Sequence, residues 1–232
     1  MALIVWDAVG ERLYETGVDH GVLYQVDASG NYVDGVPWNG LTNVSQSPSG
    51  AEPQKLYADN MNYLTMYSAE EFGVTIEAYT YPDEFAQNDG SATPVDGVRI
   101  GQQGRKPFGL CYRTKIGNDV AGDDLGYMLH LVYGCRCSPS ERAYATINDS
   151  PEALSFSWEV STTPVQIAGF KPSAYLEIDS TKFTAEAAKA KLTTLENMLF
   201  GTNGSGNDQG TDPVLPLPGV VLSTLGYVAP QQ

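Results

Sequence analysis

The sequence predicts a mainly β protein of the α+β kind: a β-sandwich flanked by one helix in its C-terminal half. Three observations carry that expectation. Apolar and polar residues alternate in several runs. Turn formers are abundant, with 24 glycines and 14 prolines in 232 residues. Fourteen tyrosines supply the aromatic side chains that strands favour. Charged residues are 18% of the chain and apolar ones 42%, enough to bury a sizeable core.

The elements follow in order. Short strands are expected at 21–26 and 32–40, separated by the Ala-Ser-Gly-Asn turn at 28–31. In 72–79, Phe72, Val74, Ile76 and Ala78 alternate with Gly73, Thr75, Glu77 and Tyr79, the period of a half-buried strand. Residues 86–107 form a long Gly/Pro/polar stretch, and such loops inside domains usually carry function. A strand at 109–115 follows. In 127–135 the two alternating faces, Tyr127 to Cys135 and Met128 to Gly134, are both fairly apolar, which predicts a central strand. The clearest half-buried strand sets Leu154, Phe156, Trp158 and Val160 against Ser155, Ser157, Glu159 and Ser161. Another short strand is expected at 174–178. The helix comes last: Thr184 caps it, Gly201 ends it, and Ala188, Leu192, Leu195 and Leu199 form one stripe. A β-sandwich domain of residues 1–200, helix 184–200 included, is then followed by a Gly/Pro-rich arm at 201–232. Apolar residues in that arm need a surface, in their own domain or on a neighbouring subunit.

Charge excludes several functions. Lys plus Arg number 13 against 28 Asp plus Glu, a formal net charge of −15. A nucleic-acid clamp or an anchor on an anionic membrane needs the opposite sign. MALIVW at the start is too short for a signal peptide, and the apolar stretch 214–229 is broken by prolines and too short for a bilayer span. Three cysteines, Cys111, Cys135 and Cys137, make an odd set that fits free thiols in a reducing compartment. Cys135-x-Cys137 lacks zinc spacing, and strand alternation sets His130 on the opposite face, so no metal is expected. His20 reads as a turn residue and His130 as strand interior or its exposed face. With no Gly-x-Ser-x-Gly elbow and no phosphate loop, neither catalytic residues nor a cofactor are expected. Against the global charge, Arg99, Arg105, Lys106, Arg113 and Lys115 cluster within 17 residues. They are either solvated loop and strand-edge charges or a socket for an acidic partner, such as another copy of the chain.

Four stretches together carry a likeness: 36–60 (VPWNGLTNVSQSPSGAEPQKLYADN), 68–85 (SAEEFGVTIEAYTYPDEF), 106–119 (KPFGLCYRTKIGND) and 125–165, which opens LGYMLHLVYGCRC. In order and spacing the chain resembles the major tail protein, or tail tube protein, of long-tailed, siphophage-type bacteriophages over residues 35–177. The resemblance implies a β-sandwich with a flanking helix, a long extended loop or hairpin, and terminal arms. It further implies hexameric rings stacked into a hollow tube. The inner sheets close into a β-barrel across subunits, and the DNA genome passes through without specific binding. It implies no enzyme, no cofactor and no membrane. Its partners are the chain itself, a tape-measure protein in the lumen, a tail terminator and tail-tip or baseplate proteins. The location is the virion, assembled in the host cytoplasm. On that basis Thr75, Glu77, Ser155, Ser157 and Glu159 are candidates to face the lumen. Arg99, Arg105, Lys106, Leu217, Val221 and Tyr227 are candidates for contacts between subunits. Two alternatives stay open: a carbohydrate-binding β-sandwich using Trp38, Tyr79 and Tyr81, and another tail component of the same fold, a terminator or baseplate hub.

Overall fold

The computed structural model describes residues 3–147, 149, 153–204 and 209–229. Its strands are β1 (Tyr14–Val26), β2 (Tyr32–Pro37), β3 (Leu41–Gln46), β4 (Ser49–Gly50), β5 (Pro53–Ala58), β6 (Met61–Tyr67), β7 (Glu70–Glu71) and β8 (Gly73–Ala78). After a 3-10 turn at Asp83–Gln87 come β9 (Ala92–Val95), β10 (Val98–Ile100), β11 (Phe108–Asn118), β12 (Gly122–Cys137), β13 (Phe156–Ser161) and β14 (Tyr175–Asp179). Helix α1 (Glu186–Phe200), the short β15 (Thr202–Asn203) and β16 (Gly210–Thr211), and helix α2 (Pro218–Leu225) complete the order.

The main ladder is antiparallel and runs β2-β1-β11-β12-β13-β8-β3, with β14 also on β12. Strand β12 is its hub. Its first part lies between β11 and β14, with Leu129 opposite both Arg113 and Ile178. Its last residues pair instead with β13, Arg136 opposite Ser161 and Cys137 opposite Val160. Gly134 makes the change of partner. Its φ is +62°, and a Cβ there would lie 2.3 Å from the carbonyl oxygen of Thr163. Only glycine tolerates both conditions, and the resulting bulge bends the strand and shifts its side-chain alternation by one.

The ladder therefore folds into two layers, β2-β1-β11-β12-β14 and β12-β13-β8-β3. Between them lies a core that includes Leu23, Val74, Ile76, Leu110, Val132, Trp158 and Val160. The first layer has a second buried face. There Tyr24, Cys111, Leu129, Leu131 and Tyr133 pack on Leu192, Leu195 and Leu199 of α1 and on Leu215 and Val221. Fully burying one such leucine contributes about 1.5–3 kcal/mol. A strand in this middle layer is buried on both sides, which is why 127–135 carries apolar residues on both faces. The mainly β character, built on a large antiparallel sheet, is as expected, and two helices are present where one was expected. No closed barrel forms within the described residues.

Several details differ from the sequence expectation. Strand β1 begins at Tyr14, seven residues early, because Gly17 and His20 take positive φ and break the alternation. His20 is thus a bulge residue within a strand, not a turn. The 154–161 strand starts at Phe156. Helix α1 starts after Ala185, which takes the extended capping conformation with no side-chain cap, so Thr184 lies one residue outside. Its end at Gly201 and its buried stripe hold. The polar stretch 86–107 contains the β9–β10 hairpin.

The described part of the arm, residues 209–229, folds back onto the first layer. Val214 N–H donates to Met198 O at 2.7 Å, Leu215 N–H to Tyr32 O at 3.1 Å, and Tyr133 Oη to Pro216 O at 2.9 Å. Helix α2 then forms between Pro218 at its first turn and left-handed Gly226. It was absent from the expectation because its short, apolar sequence has no polar face to set a period.

Candidate functional site

Strands β3, β8 and β13 turn one face to the core and the other outward. Register places Ser157 opposite Glu77 and Glu159 opposite Thr75, while Asn43 and Ser45 of β3 stand opposite Glu77 and Thr75. Four of the five candidate lumen residues therefore share one surface. Ser155 precedes β13, is exposed, and has no register partner in the ladder. The two carboxylates are set diagonally, so each faces a hydroxyl across the ladder and like charges do not meet head-on. Asn43 Nδ2 donates to Glu77 Oε2 at 3.3 Å and to Ser45 Oγ at 3.1 Å. Arg136, opposite Ser161, places one positive charge on the edge of the same face. Chemically the face offers hydroxyls, an amide and carboxylates, which suit water and repel phosphates.

A second polar cluster is internal. His130 is 3% exposed and stacked on Tyr112, ring centroids 4.5 Å apart. Its Nδ1 lies 2.6 Å from Tyr175 Oη and its Nε2 2.8 Å from Thr114 Oγ1. Tyr175 donates onward to Glu177 Oε1 at 2.5 Å, and Thr114 to Glu15. Gln46 of β3 donates to both tyrosine hydroxyls, tying the second layer to the first. Burial lowers the His130 pKa below the ordinary histidine value, against the pull of Glu15 and Glu177. Burial likewise pushes Tyr112 up to about 12. With every hydroxyl engaged inside the cluster, its role is to lock β1, β11, β12 and β14 together and to tie β3 to them.

The Gly134 bulge corrects the expectation for the cysteines. Val132, Cys135 and Cys137 all enter the core between the layers, where Tyr112 stacks on His130, so His130 and the two cysteines lie on the same side. All three cysteines are buried free thiols, and burial pushes Cys137 up to about 12. Among the described residues no cluster of three His, Cys, Asp or Glu could hold a metal ion.

A large exposed element was not expected from the sequence: the β5–β6 hairpin. Tyr57, Tyr63 and Tyr67 are 70%, 73% and 70% exposed, and Leu56, Met61, Leu64 and Met66 are exposed too. Asp59 and Asn60 form its two-residue turn with φ of 52° and 61°, between the paired Ala58 and Met61. An Asp-Asn pair between β-favouring runs is a type I′ signal that could have located it.

The basic residues do not gather into one patch. Arg99 donates to Asp83 at 2.5 Å and to Tyr81 Oη at 2.8 Å. Arg113 pairs with Asp19 at 2.8 Å and Lys115 with Asp123 at 3.0 Å. Arg105 is half-buried with its Nε lacking a partner, and Lys106 is exposed. The expected socket is largely neutralised within the subunit. Of the arm residues, Leu217 is exposed, Tyr227 is half-buried against Phe170 at 5.3 Å, and Val221 is 1% exposed. Val221 is thereby removed as a subunit contact, since the chain's own core already covers it. The aromatic platform is corrected as well. Trp38 is buried, donating from Nε1 to Thr80 O at 3.0 Å, and Tyr81 packs among Phe85, Phe156 and Trp158 under Arg99 and Arg142. Only Tyr79 of the three is exposed.

Compared with known proteins, the chain matches no protein-family model and no curated protein. No helix among the described residues is long and apolar enough to cross a membrane.

Proposed function

We propose that the chain is a structural subunit that polymerises as stacked hexameric rings into a phage tail tube, the hollow conduit for the DNA genome. The observation that carries this reading is the pairing of two unlike outer surfaces. One is the polar outer face of β3, β8 and β13; the other is the apolar β5–β6 hairpin, exposed among the described residues. Seven large apolar side chains on one projecting hairpin are a liability in a monomer and an interface in an assembly. Strand β3 ends the main ladder and offers an edge through which neighbouring sheets could join into a barrel. The polar face would then line the channel, Glu77 and Glu159 repelling DNA so that it slides. A tape-measure protein would occupy this lumen during assembly, with terminator and tail-tip proteins closing the ends. Arg99, Arg105, Lys106, Leu217 and Tyr227 remain candidate contacts. No catalysis enters this reading.

Electron microscopy of the concentrated, purified protein tests it. Hollow tubes with sixfold end views are expected. Closed single rings would favour a terminator or hub of the same fold, and persistent monomers that bind glycans would overturn the reading.

A further inference from the structure

Of the six arginines in the sequence, five have a place for their charge. Arg12, Arg99, Arg113 and Arg142 lie within ion-pair distance of Asp119, Asp83, Asp19 and Asp89. Arg136 is exposed to water. Arg105 differs from all of them. It is half-buried, and its Nε is closed off from solvent with no acceptor among the described residues. Its two terminal nitrogens have no protein acceptor there either. They do reach solvent, because Nε is the one buried side-chain nitrogen or oxygen left unsatisfied among the described residues. A cation in this position loses hydration on folding and gains no protein counter-charge in return.

The backbone holds this side chain in place. Gln103 N–H donates to Gly90 O at 2.9 Å and Lys106 N–H to Gln87 O at 3.1 Å, which lays 103–106 along 87–90. Buried Asn88 fastens the same stretch, its Nδ2 donating to Lys106 O at 3.2 Å and Pro107 O at 3.3 Å. Gly90 has φ +78°, and a Cβ there would lie 3.0 Å from Arg105 Cζ and 3.2 Å from its Cγ. The arginine stem therefore rests against bare glycine backbone. Burial pushes the Cys137 thiol up, with Asp89 adding to that push and Arg105 opposing it, so both charges lie close to this thiol. Asp89 is nevertheless engaged by Arg142, which also donates to Tyr81 Oη at 3.2 Å. That pairing leaves the charge of Arg105 in excess.

We propose that Arg105 is an anion site: Nη1 and Nη2 of its fixed fork receive two oxygens of a small oxyanion of the phosphate class. A planar guanidinium matches two oxygens at once. Because packing holds the stem before the anion arrives, little side-chain freedom remains to be lost on binding. With a net charge of −15 the chain repels anions at long range, so capture here rests on local geometry. The site is complete within one chain and does not depend on the assembly reading. The bound anion supplies the missing counter-charge and so stabilises the single subunit.

Equilibrium dialysis of the full chain against radiolabelled inorganic phosphate, in sodium chloride at fixed ionic strength, tests the assignment. Wild type should bind one phosphate saturably, and further chloride should not displace it. Arg105→Gln should weaken that binding about tenfold or more, whereas Lys106→Gln, at the exposed neighbour, should change it little. In thermal scans, phosphate at several times its Kd should raise the wild-type Tm by about 2–4 °C beyond matched chloride. Arg105→Gln should show no such gain, which separates site binding from the general stabilising effect of phosphate as a salt. Absence of saturable binding to wild type overturns the site, and this arm decides even where the variant does not fold. Equal binding and equal Tm gain in Arg105→Gln, or an equal loss in Lys106→Gln, overturn it as well.

Discussion

His130 joins three strands of the first layer, and two glutamates that reach it through hydroxyls oppose the effect of its burial. The net outcome is a pKa below the usual 6.5. As pH falls through 6.5 the unfolded chain therefore takes up the proton first. The stability contributed by this residue is intact above that pH and declines below it, by up to about 1.4 kcal/mol per pH unit. His130→Gln keeps hydrogen-bonding groups on the ring's two sides and removes the titration. Thermal unfolding at pH 7 and pH 5 should show wild type losing more Tm than the variant. Equal losses would assign the acid sensitivity to other groups.

At the scale of elements, the bulge at Gly134 decides more than any helix. It lets one strand serve both layers, and it sets which side chains after residue 134 enter the core. Gly134→Ala would need a left-handed alanine with its Cβ pressed on Thr163 O. A loss of about 2–4 kcal/mol in urea unfolding is expected. Gly219→Ala is the internal control. Gly219 sits inside α2 with open space where the Cβ would go, so this change stabilises by about 0.4–1 kcal/mol. Similar costs at both positions would mean that Gly134 is not a special backbone site.

The whole molecule is three layers deep: a polar-faced sheet, a sheet buried on both sides, and two helices. Its net charge of −15 excludes a phosphate clamp, and in the proposed tube part of that charge faces DNA. Reversing the two carboxylates on the polar face, Glu77→Lys with Glu159→Lys, replaces two negative charges with two positive ones on each subunit's proposed channel wall, a net change of about +4. The assembled variant should bind a short DNA duplex at low salt, with affinity falling steeply as salt rises, while wild-type tubes should not. Fluorescence anisotropy of a labelled duplex reads this directly. Equal binding by both would place these residues away from the channel.

By itself the sequence determined the β-rich class, the strands at 73–78 and 127–135, the α1 stripe and the polar residues that share the outer face. Each of these is a local pattern, a period of two or of 3.6 set by which side must be dry. Tertiary structure alone decided the rest. Alternation reads faces correctly only until a bulge intervenes, so Cys135 and Cys137 changed sides at Gly134 with no periodic signal to announce it. Trp38 and Tyr81 look like surface aromatics in a turn-rich stretch, yet the folding-over of the ladder encloses both. Val221 and Leu215 were free to seek a neighbour until the arm proved long enough to return to Tyr32 and Met198. Conversely, the β5–β6 hairpin had strand-like sequence but no layer left to cover it. Burial is a property of where distant segments meet, and a one-dimensional pattern can specify a face without specifying what lies against it.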